Sequence, residues 1–266
     1  MTDALPPILL VGGGKMGGAM LAGWRERGMA AAVVIDPAPG ASLLAGGPVK
    51  VVTAAAEVPA DFRPAAVVLA VKPQSAAEAV PPIARLVGDA VVLSIMAGKT
   101  VAGLRRLVGE KAIVRAMPNT PAAVRQGITV GFAGPGVTAT QKDLSDELLS
   151  SIGEVAWVAD EGLIDPVTAV SGGGPAYVFL LAETMERAAI EQGIPPELAR
   201  RLARVTVSGS GALLRASDQD AADLRVAVTS PGGTTQRALA VLMEAWPGLM
   251  SRAIQAATER SRELGG

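Results

Sequence analysis

The chain has no cysteine and no histidine among its 266 residues, and aromatics are scarce: one Tyr, three Phe and three Trp. Without cysteine there is no thiol nucleophile, no cysteine-ligated zinc and no iron–sulfur cluster, and nothing points to an oxidising compartment. Without histidine, a Ser-His-Asp triad, a histidine general base and a histidine-ligated metal are all excluded. An excess of charge is missing too, since 24 Lys and Arg stand against 25 Asp and Glu. The near-balance leaves no electrostatic footprint for nucleic acid or an anionic membrane. No apolar run reaches membrane-spanning length without Gly, Pro or a charge. Met1 to Pro7 lacks the basic and long apolar regions of a secretory signal, so a cytoplasmic protein is expected. Any chemistry must run on a bound cofactor, carboxylates, hydroxyls, Lys or Arg, and backbone amides.

Half of the residues are hydrophobic and 18% are charged, which suits a packed chain of one large domain or two modest ones. Short β-branched runs alternate with helical patterns over the first part. The strand candidates are Ile8–Val11, Ala32–Asp36, Val49–Thr53, Ala66–Val71, Ala90–Ile95, Ala112–Met117, Ile128–Ala133 and Glu154–Val158. The earlier runs are almost wholly apolar, as strands covered on both faces must be. Helical stretches such as Met16–Arg27, Ser75–Val87 and Gln141–Ser151 lie between them, and this rhythm predicts a doubly wound α/β sheet over residues 1–160. From Glu161 onward the texture is helical, with stretches at Tyr177–Gln192, Pro196–Ala216, Thr234–Ala245 and Gly248–Leu264. An all-α second domain over 161–266 is expected. Helices so rich in Ala, Leu and Val suggest burial against a second copy of the chain.

Gly12, Gly14 and Gly17 form G-x-G-x-x-G directly after a strand and at the opening of a helix. In such a turn the first glycine bends the chain, the second admits a pyrophosphate, and the third lets helix pack on strand. Amides of the helix start, around Lys15 and Met16, then face the phosphates. Asp36 ends the second strand, where a carboxylate accepts hydrogen bonds from ribose hydroxyls and repels a 2′-phosphate, which leans toward NADH. Further loops leave later strand ends at Val71-Lys72-Pro73-Gln74, Met96-Ala97-Gly98-Lys99 and Met117-Pro118-Asn119-Thr120-Pro121. Two glycine-rich helix starts follow, Ser171–Tyr177 and Thr229–Thr235. Successive amides beside hydroxyls there would make a nest for a small anion such as a carboxylate.

These segments resemble the Δ1-pyrroline-5-carboxylate reductases nearly end to end. The likeness is carried by Gly12–Ala19, VLAVKPQ at 68–74, VRAMPNTPA at 114–122, DPVTAVSGGGPAY at 165–177, VTSPGGTT at 228–235 and AATERSREL at 256–264. It implies a Rossmann-like amino-terminal domain, a helical dimerisation and substrate-binding domain, and reduction of (S)-1-pyrroline-5-carboxylate to L-proline with NADPH or NADH. It implies homodimers through the C-terminal helices, which in many members assemble to decamers. Carried over residue by residue, Ser230, Gly232, Gly233, Thr234 and Thr235 would hold the substrate carboxylate, with the Thr235 hydroxyl near the ring nitrogen as the catalytic group. Gly12, Gly14, Lys15, Met16, Gly17, Asp36, Ala70, Val71, Lys72, Pro73, Ala97, Gly98, Pro118 and Asn119 would border the cofactor. Lys15 and Gly173 depart from the Asn and Ser usual in the family. Thr53-Ala54 stands where some members place Asn against the adenosine phosphate, and Glu244–Pro247 is atypical. None of these touches Thr234-Thr235.

The chemistry suits a chain without histidine. A cyclic imine is substantially protonated near neutral pH, and the iminium carbon accepts hydride without a strong protein acid. The protein's task is positioning and exclusion of water. A hydroxyacid dehydrogenase of similar plan would need a catalytic Lys on the first long helix of the second domain, and no Lys follows Lys142. A reductase of a related cyclic imino acid and a non-catalytic dinucleotide sensor remain as alternatives.

Overall fold

The structure, a computed structural model, describes residues 4–265. Met1 to Asp3 and Gly266, which the expected domains include, lie outside the described residues. All eight expected strands form: β1 (Ile8–Val11), β2 (Ala32–Ile35), β3 (Val49–Val52), β4 (Ala66–Leu69), β5 (Val91–Ser94), β6 (Ile113–Met117), β7 (Gly127–Ala133) and β8 (Gly153–Val158). They make one sheet in the order β3-β2-β1-β4-β5-β6-β7-β8. Neighbours are parallel except β6 and β7, which are joined by a connection too short for a crossover. The first strands are buried residue by residue, because helical layers cover both faces. Leu10, Val34, Val68 and Leu93 lie in one core; Leu9, Val33, Val67 and Val92 lie in the other.

Helix α1 (Lys15–Arg27) follows β1. Its Trp24 is fully buried, and the indole donates to the Leu148 carbonyl at 3.0 Å. Helices α2 (Val101–Val108) and α3 (Ala139–Ser150) cover later strands. Thr138 starts α3 with a reciprocal capping box to Gln141, a pairing that satisfies two helix-end donors. The helix expected over Ser75–Val87 is instead a series of short turns. Pro81 and Pro82 interrupt it, since neither has an N–H to donate and each disfavours helix in the residue before it.

The chain forms two compact units. One comprises the residues up to Gly172 together with those from Ala257 onward; the other runs from Gly173 to Ala256. The second is wholly helical, with α4 (Gly174–Glu191), α5 (Pro196–Ala216), α6 (Ala221–Ala227) and most of α7 (Thr234–Gly265). Pro247, expected to separate two helices, lies inside the single helix α7. A proline removes one hydrogen bond of the ladder, and the turns on either side carry the helix through. Among the described residues no helix is long and apolar enough to cross a membrane.

One ionic cluster lies deep in the first unit. Arg115 on β6 is 3% exposed, and its guanidinium meets Glu161 Oε1 at 3.2 Å and Asp165 Oδ1 at 3.4 Å. Glu161 Oε1 also accepts the Val101 amide at the start of α2, and Asp165 Oδ1 accepts the Ser261 hydroxyl near the end of α7. Removing the cation strands two carboxylates. Arg115→Met is expected to lower the unfolding free energy by about 3 kcal/mol, measured by chemical denaturation. Adding Glu161→Gln and Asp165→Asn should restore part of that loss.

Candidate active site

The crevice of this sheet opens beyond the carboxyl ends of β1 and β4, where the strand order reverses and where open α/β sheets take their ligands. Gly12 leaves β1 with φ +98°. A Cβ on it would stand 2.8 Å from the Ala70 carbonyl, and one on Gly17 would stand 2.1 Å from the Gly12 oxygen. The β1–α1 turn therefore closes backbone against backbone. Gly14 faces open space, with nothing within 4 Å of its would-be Cβ, and it begins α1 without a side-chain cap. Gly18 makes an early bond of the helix, to Gly14 O, so the amides of Gly14, Lys15 and Met16 precede it. No acid lies in the first turn, and Lys15 is exposed there. Open amides, a positive helix end and a cation suit a diphosphate.

Asp36 follows β2, and its carboxylate binds the glycine loop itself: Oδ2 accepts from Gly13 N at 2.6 Å and Oδ1 from Ala38 N at 2.9 Å. Ala70 and Val71, half-buried, leave β4, and Lys72 is exposed just before the short turn Pro73–Ser75. Ala97 and Gly98 follow β5. Gly98 adopts φ +69°, and a Cβ there would press on Leu264 at the end of α7. Pro118 is buried after β6. Asn119 Oδ1 accepts from Ile128 N at 3.0 Å, so this side chain fixes the turn into β7.

Arg125, which the sequence did not single out, holds the same turn to α1. Its guanidinium contacts both carboxylate oxygens of Glu26, at 2.7 and 3.0 Å. The Glu26 carboxyl is held below its ordinary value by that hydrogen-bonded cation. Glu57 was also missed. Its carboxylate accepts from the Thr53 amide at 3.1 Å and the Thr53 hydroxyl at 2.7 Å, and these bonds lower its pKa. A Thr followed four residues later by Glu at a strand end was the available signal.

In the second unit, Ser230-Pro231-Gly232-Gly233 forms a turn closed by Gly233 N donating to Ser230 O at 3.0 Å. Gly232 has φ +71°, as the third position of a type II turn requires. Its amide donates to Gln236 Oε1 at 2.7 Å, a cap that sequence reasoning overlooked. Gly232 and Gly233 thus spend their amides on the turn. The amides of Thr234 and Thr235 precede the Arg237 to Gly233 bond that opens α7, and Ser230, Thr234 and Thr235 are exposed. The other glycine-rich start, Ser171–Tyr177, does not open as a nest. A π turn spans Thr168–Gly172, and the Ser171 hydroxyl donates to Val167 O at 3.0 Å. Glycine tolerates that wider winding, and the amides run into helix.

Comparison with known proteins finds matches in both parts of the chain. Residues 161–264 match the family described as pyrroline-5-carboxylate reductase dimerisation, so the C-terminal region is a dimerisation domain of that type. Residues 7–98 match the family described as NADP oxidoreductase, coenzyme F420-dependent. The pyrroline-5-carboxylate reductase of Pseudomonas aeruginosa is 39% identical, with 97% of each chain covered; that of Haemophilus influenzae is 36% identical, again with 97% of each covered. The solved structure of the Coxiella burnetii pyrroline-5-carboxylate reductase superimposes with a TM-score of 0.90 at 32% identity, covering 97% of this chain and 98% of that one. The Plasmodium falciparum pyrroline carboxylate reductase, solved with NADP bound, gives 0.83 at 28% identity with 98% of each covered. An open-amide turn at the switch point of the sheet, a threonine-bearing helix start in a dimerisation domain, and likeness over nearly the whole length converge, and the chain belongs to the pyrroline-5-carboxylate reductase family.

Proposed function

We propose that the chain reduces (S)-1-pyrroline-5-carboxylate to L-proline, with NADPH or NADH as reductant. The observation that carries the site assignment is the Ser230–Thr235 turn. Two amides are consumed in shaping it, while those of Thr234 and Thr235 stand at the positive end of a 32-residue helix beside exposed hydroxyls. A carboxylate bound there gains charge-assisted hydrogen bonds and the helix dipole. Ser230 adds a hydroxyl, and Gly232 and Gly233 serve the substrate by holding the turn.

A reduced nicotinamide, when bound, supplies the hydride that adds to the imine carbon. The amides of Gly14, Lys15 and Met16 would hold the diphosphate. Asp36 would meet the ribose, and the loops at Ala70–Pro73, Ala97–Gly98 and Pro118–Asn119 would border the rest. The substrate nitrogen carries its proton from solution, and the Thr235 hydroxyl accepts a hydrogen bond from that N–H, which fixes the ring and stabilises the charged imine. No histidine is required. The chain's own contribution is to hold the ring by its carboxylate and nitrogen, so that one carbon face is presented.

Thr235→Val is expected to lower kcat about 10- to 100-fold, the worth of one hydrogen bond to a charged reacting group. Thr235→Ser should keep most of the rate, and affinity for the dinucleotide should stay within about twofold. Steady-state reduction of the pyrroline together with equilibrium nucleotide binding checks this; equal losses in both make Thr235 structural. A six-membered imino acid assayed alongside separates the reading from a broader imine reductase, and the pyrroline should be the better substrate.

The helices of the second unit leave Phe179, Leu213, Val241 and Leu249 more than half exposed. Apolar surface of that extent needs a cover. Sedimentation at micromolar concentration is expected to show dimers, or assemblies of dimers such as a decamer, with no monomer. Arg substituted at Val241 and Leu249 should release monomer.

A further inference from the structure

We propose that this nucleotide site is built for a dinucleotide whose adenosine ribose carries a free 2′-hydroxyl, and that Asp36 and Glu57 together turn away a 2′-phosphate. The proposal rests on the reading of the glycine loop as a dinucleotide site and names which of the two cofactors it takes. Asp36 directly follows β2, about 20 residues beyond the glycine loop, the place from which an acid meets the adenosine ribose. Its carboxylate is not a loose surface group. Gly13 N at 2.6 Å and Ala38 N at 2.9 Å fix its two oxygens, and each oxygen keeps a lone pair for a ribose hydroxyl. The same oxygens would meet a 2′-phosphate as like charge.

The neighbouring strand adds a second anion. β3 pairs in parallel with β2, Ile35 lying opposite Val52, and Asp36 N donates to Val52 O at 3.0 Å. Thr53 is thereby brought alongside Asp36 at the carboxyl edge of the sheet. An amide and a hydroxyl at that edge are the natural donors for a phosphate, and both are given to the Glu57 carboxylate. Glu57 thus occupies the place of the anion that Thr53 would bind. Held below the ordinary carboxylate range by those two bonds, it is fully charged at neutral pH.

Among the described residues, the cations near this edge are otherwise engaged. From Pro37 to Pro48, the whole connection between β2 and β3, there is no Lys or Arg. Arg25, reaching this connection from α1, donates to the carbonyls of Leu44 and Gly46. Lys50, within β3, already acts on Glu57. Lys15 stands in the first turn of α1, where the diphosphate would lie. The Ser42 hydroxyl donates to Pro39 O. A 2′-phosphate would enter between two fixed carboxylates with none of these groups turned to it.

Calorimetric titration of the full chain with ADP-ribose and with 2′-phospho-ADP-ribose tests this without catalysis. The wild type is expected to bind ADP-ribose at least about tenfold more tightly. Glu57→Gln should improve binding of the 2′-phosphate compound by about threefold, as removal of an exposed like charge allows, and leave ADP-ribose unchanged. Asp36→Asn, which can still accept one of the two amide bonds, should weaken ADP-ribose by about tenfold and narrow the gap further. Circular dichroism melts confirm that both variants are folded. Equal affinities, or tighter binding of the 2′-phosphate compound by the wild type, overturn the proposal. A preference indifferent to both substitutions overturns the assignment to Asp36 and Glu57. Binding of neither compound overturns the dinucleotide reading itself, and this proposal with it.

Discussion

The nucleotide half depends on backbone meeting backbone where β1 turns into α1. Gly17 would place a Cβ 2.1 Å from the Gly12 carbonyl, and Gly12 a Cβ 2.8 Å from the Ala70 carbonyl. No side chain fits in either gap, so the helix can begin close above the sheet and aim its first amides at the crevice. Had α1 been pushed outward by one methyl group, Gly14 to Met16 would still end a helix, but over solvent. Leu44 crowds the same loop, lying 2.5 Å from a Cβ on Gly13. The Asp36 carboxylate then draws the Gly13 amide out of the phosphate-facing set and ties the end of β2 to the loop. One steric constraint thus sets both what the turn offers to phosphate and what it spends on itself.

Behind the crevice, the loops are braced by polar contacts with little exposure. Arg115 belongs to β6, the strand that delivers Pro118 and Asn119. Its two carboxylate partners come from the segment after β8, and one of them also receives Ser261 from the end of α7. Buried ion pairs contribute less net stability than their geometry suggests, because desolvation of the charges offsets much of the attraction. Their effect here is to fix register. Each carboxylate is satisfied by more than one donor, so β6, the start of α2 and the last turns of α7 hold one arrangement. Leu264, in the same last turns of α7 as Ser261, packs on Gly98. The last turns of α7 therefore form part of the wall behind the Ala97–Gly98 loop.

The strands were legible because burial on both faces forces continuous apolar runs, and the glycine loop was legible because its steric demand admits one residue type. Features set by competition between local groups were not. Pro247 reads as a helix end, yet α7 continues through it, since neighbouring turns outweigh the one hydrogen bond a proline removes. Ser171–Gly174 and Ser230–Gly233 look alike as glycine-rich helix starts. They part because one is wound into a π turn while the other is held by Pro231 and by the Gln236 side chain. The spending of the Gly232 and Gly233 amides on the turn depends on φ values and a side-chain cap that no composition reveals. Arg125 escaped for a related reason, since its partner Glu26 lies on α1, far away in sequence; Glu57 escaped although the Thr53–Glu57 spacing was there to be read.

A chain without histidine or cysteine has few ways to move a proton, and the proposed reaction asks for few. An imine that arrives protonated needs a host that tolerates a positive ring nitrogen next to a negative carboxylate. In the proposed site, separate recognition of the two charges would meet that need: helix amides for the anion, a neutral hydroxyl for the N–H. A cationic side chain at Thr235 would repel the ring nitrogen, and a carboxylate there would oppose the substrate's own carboxylate. Neutral donors and acceptors on a helix end satisfy both ends of a zwitterion with no net charge of their own. On that proposal, two threonines after a glycine turn would suffice where other chemistries require an ionisable pair.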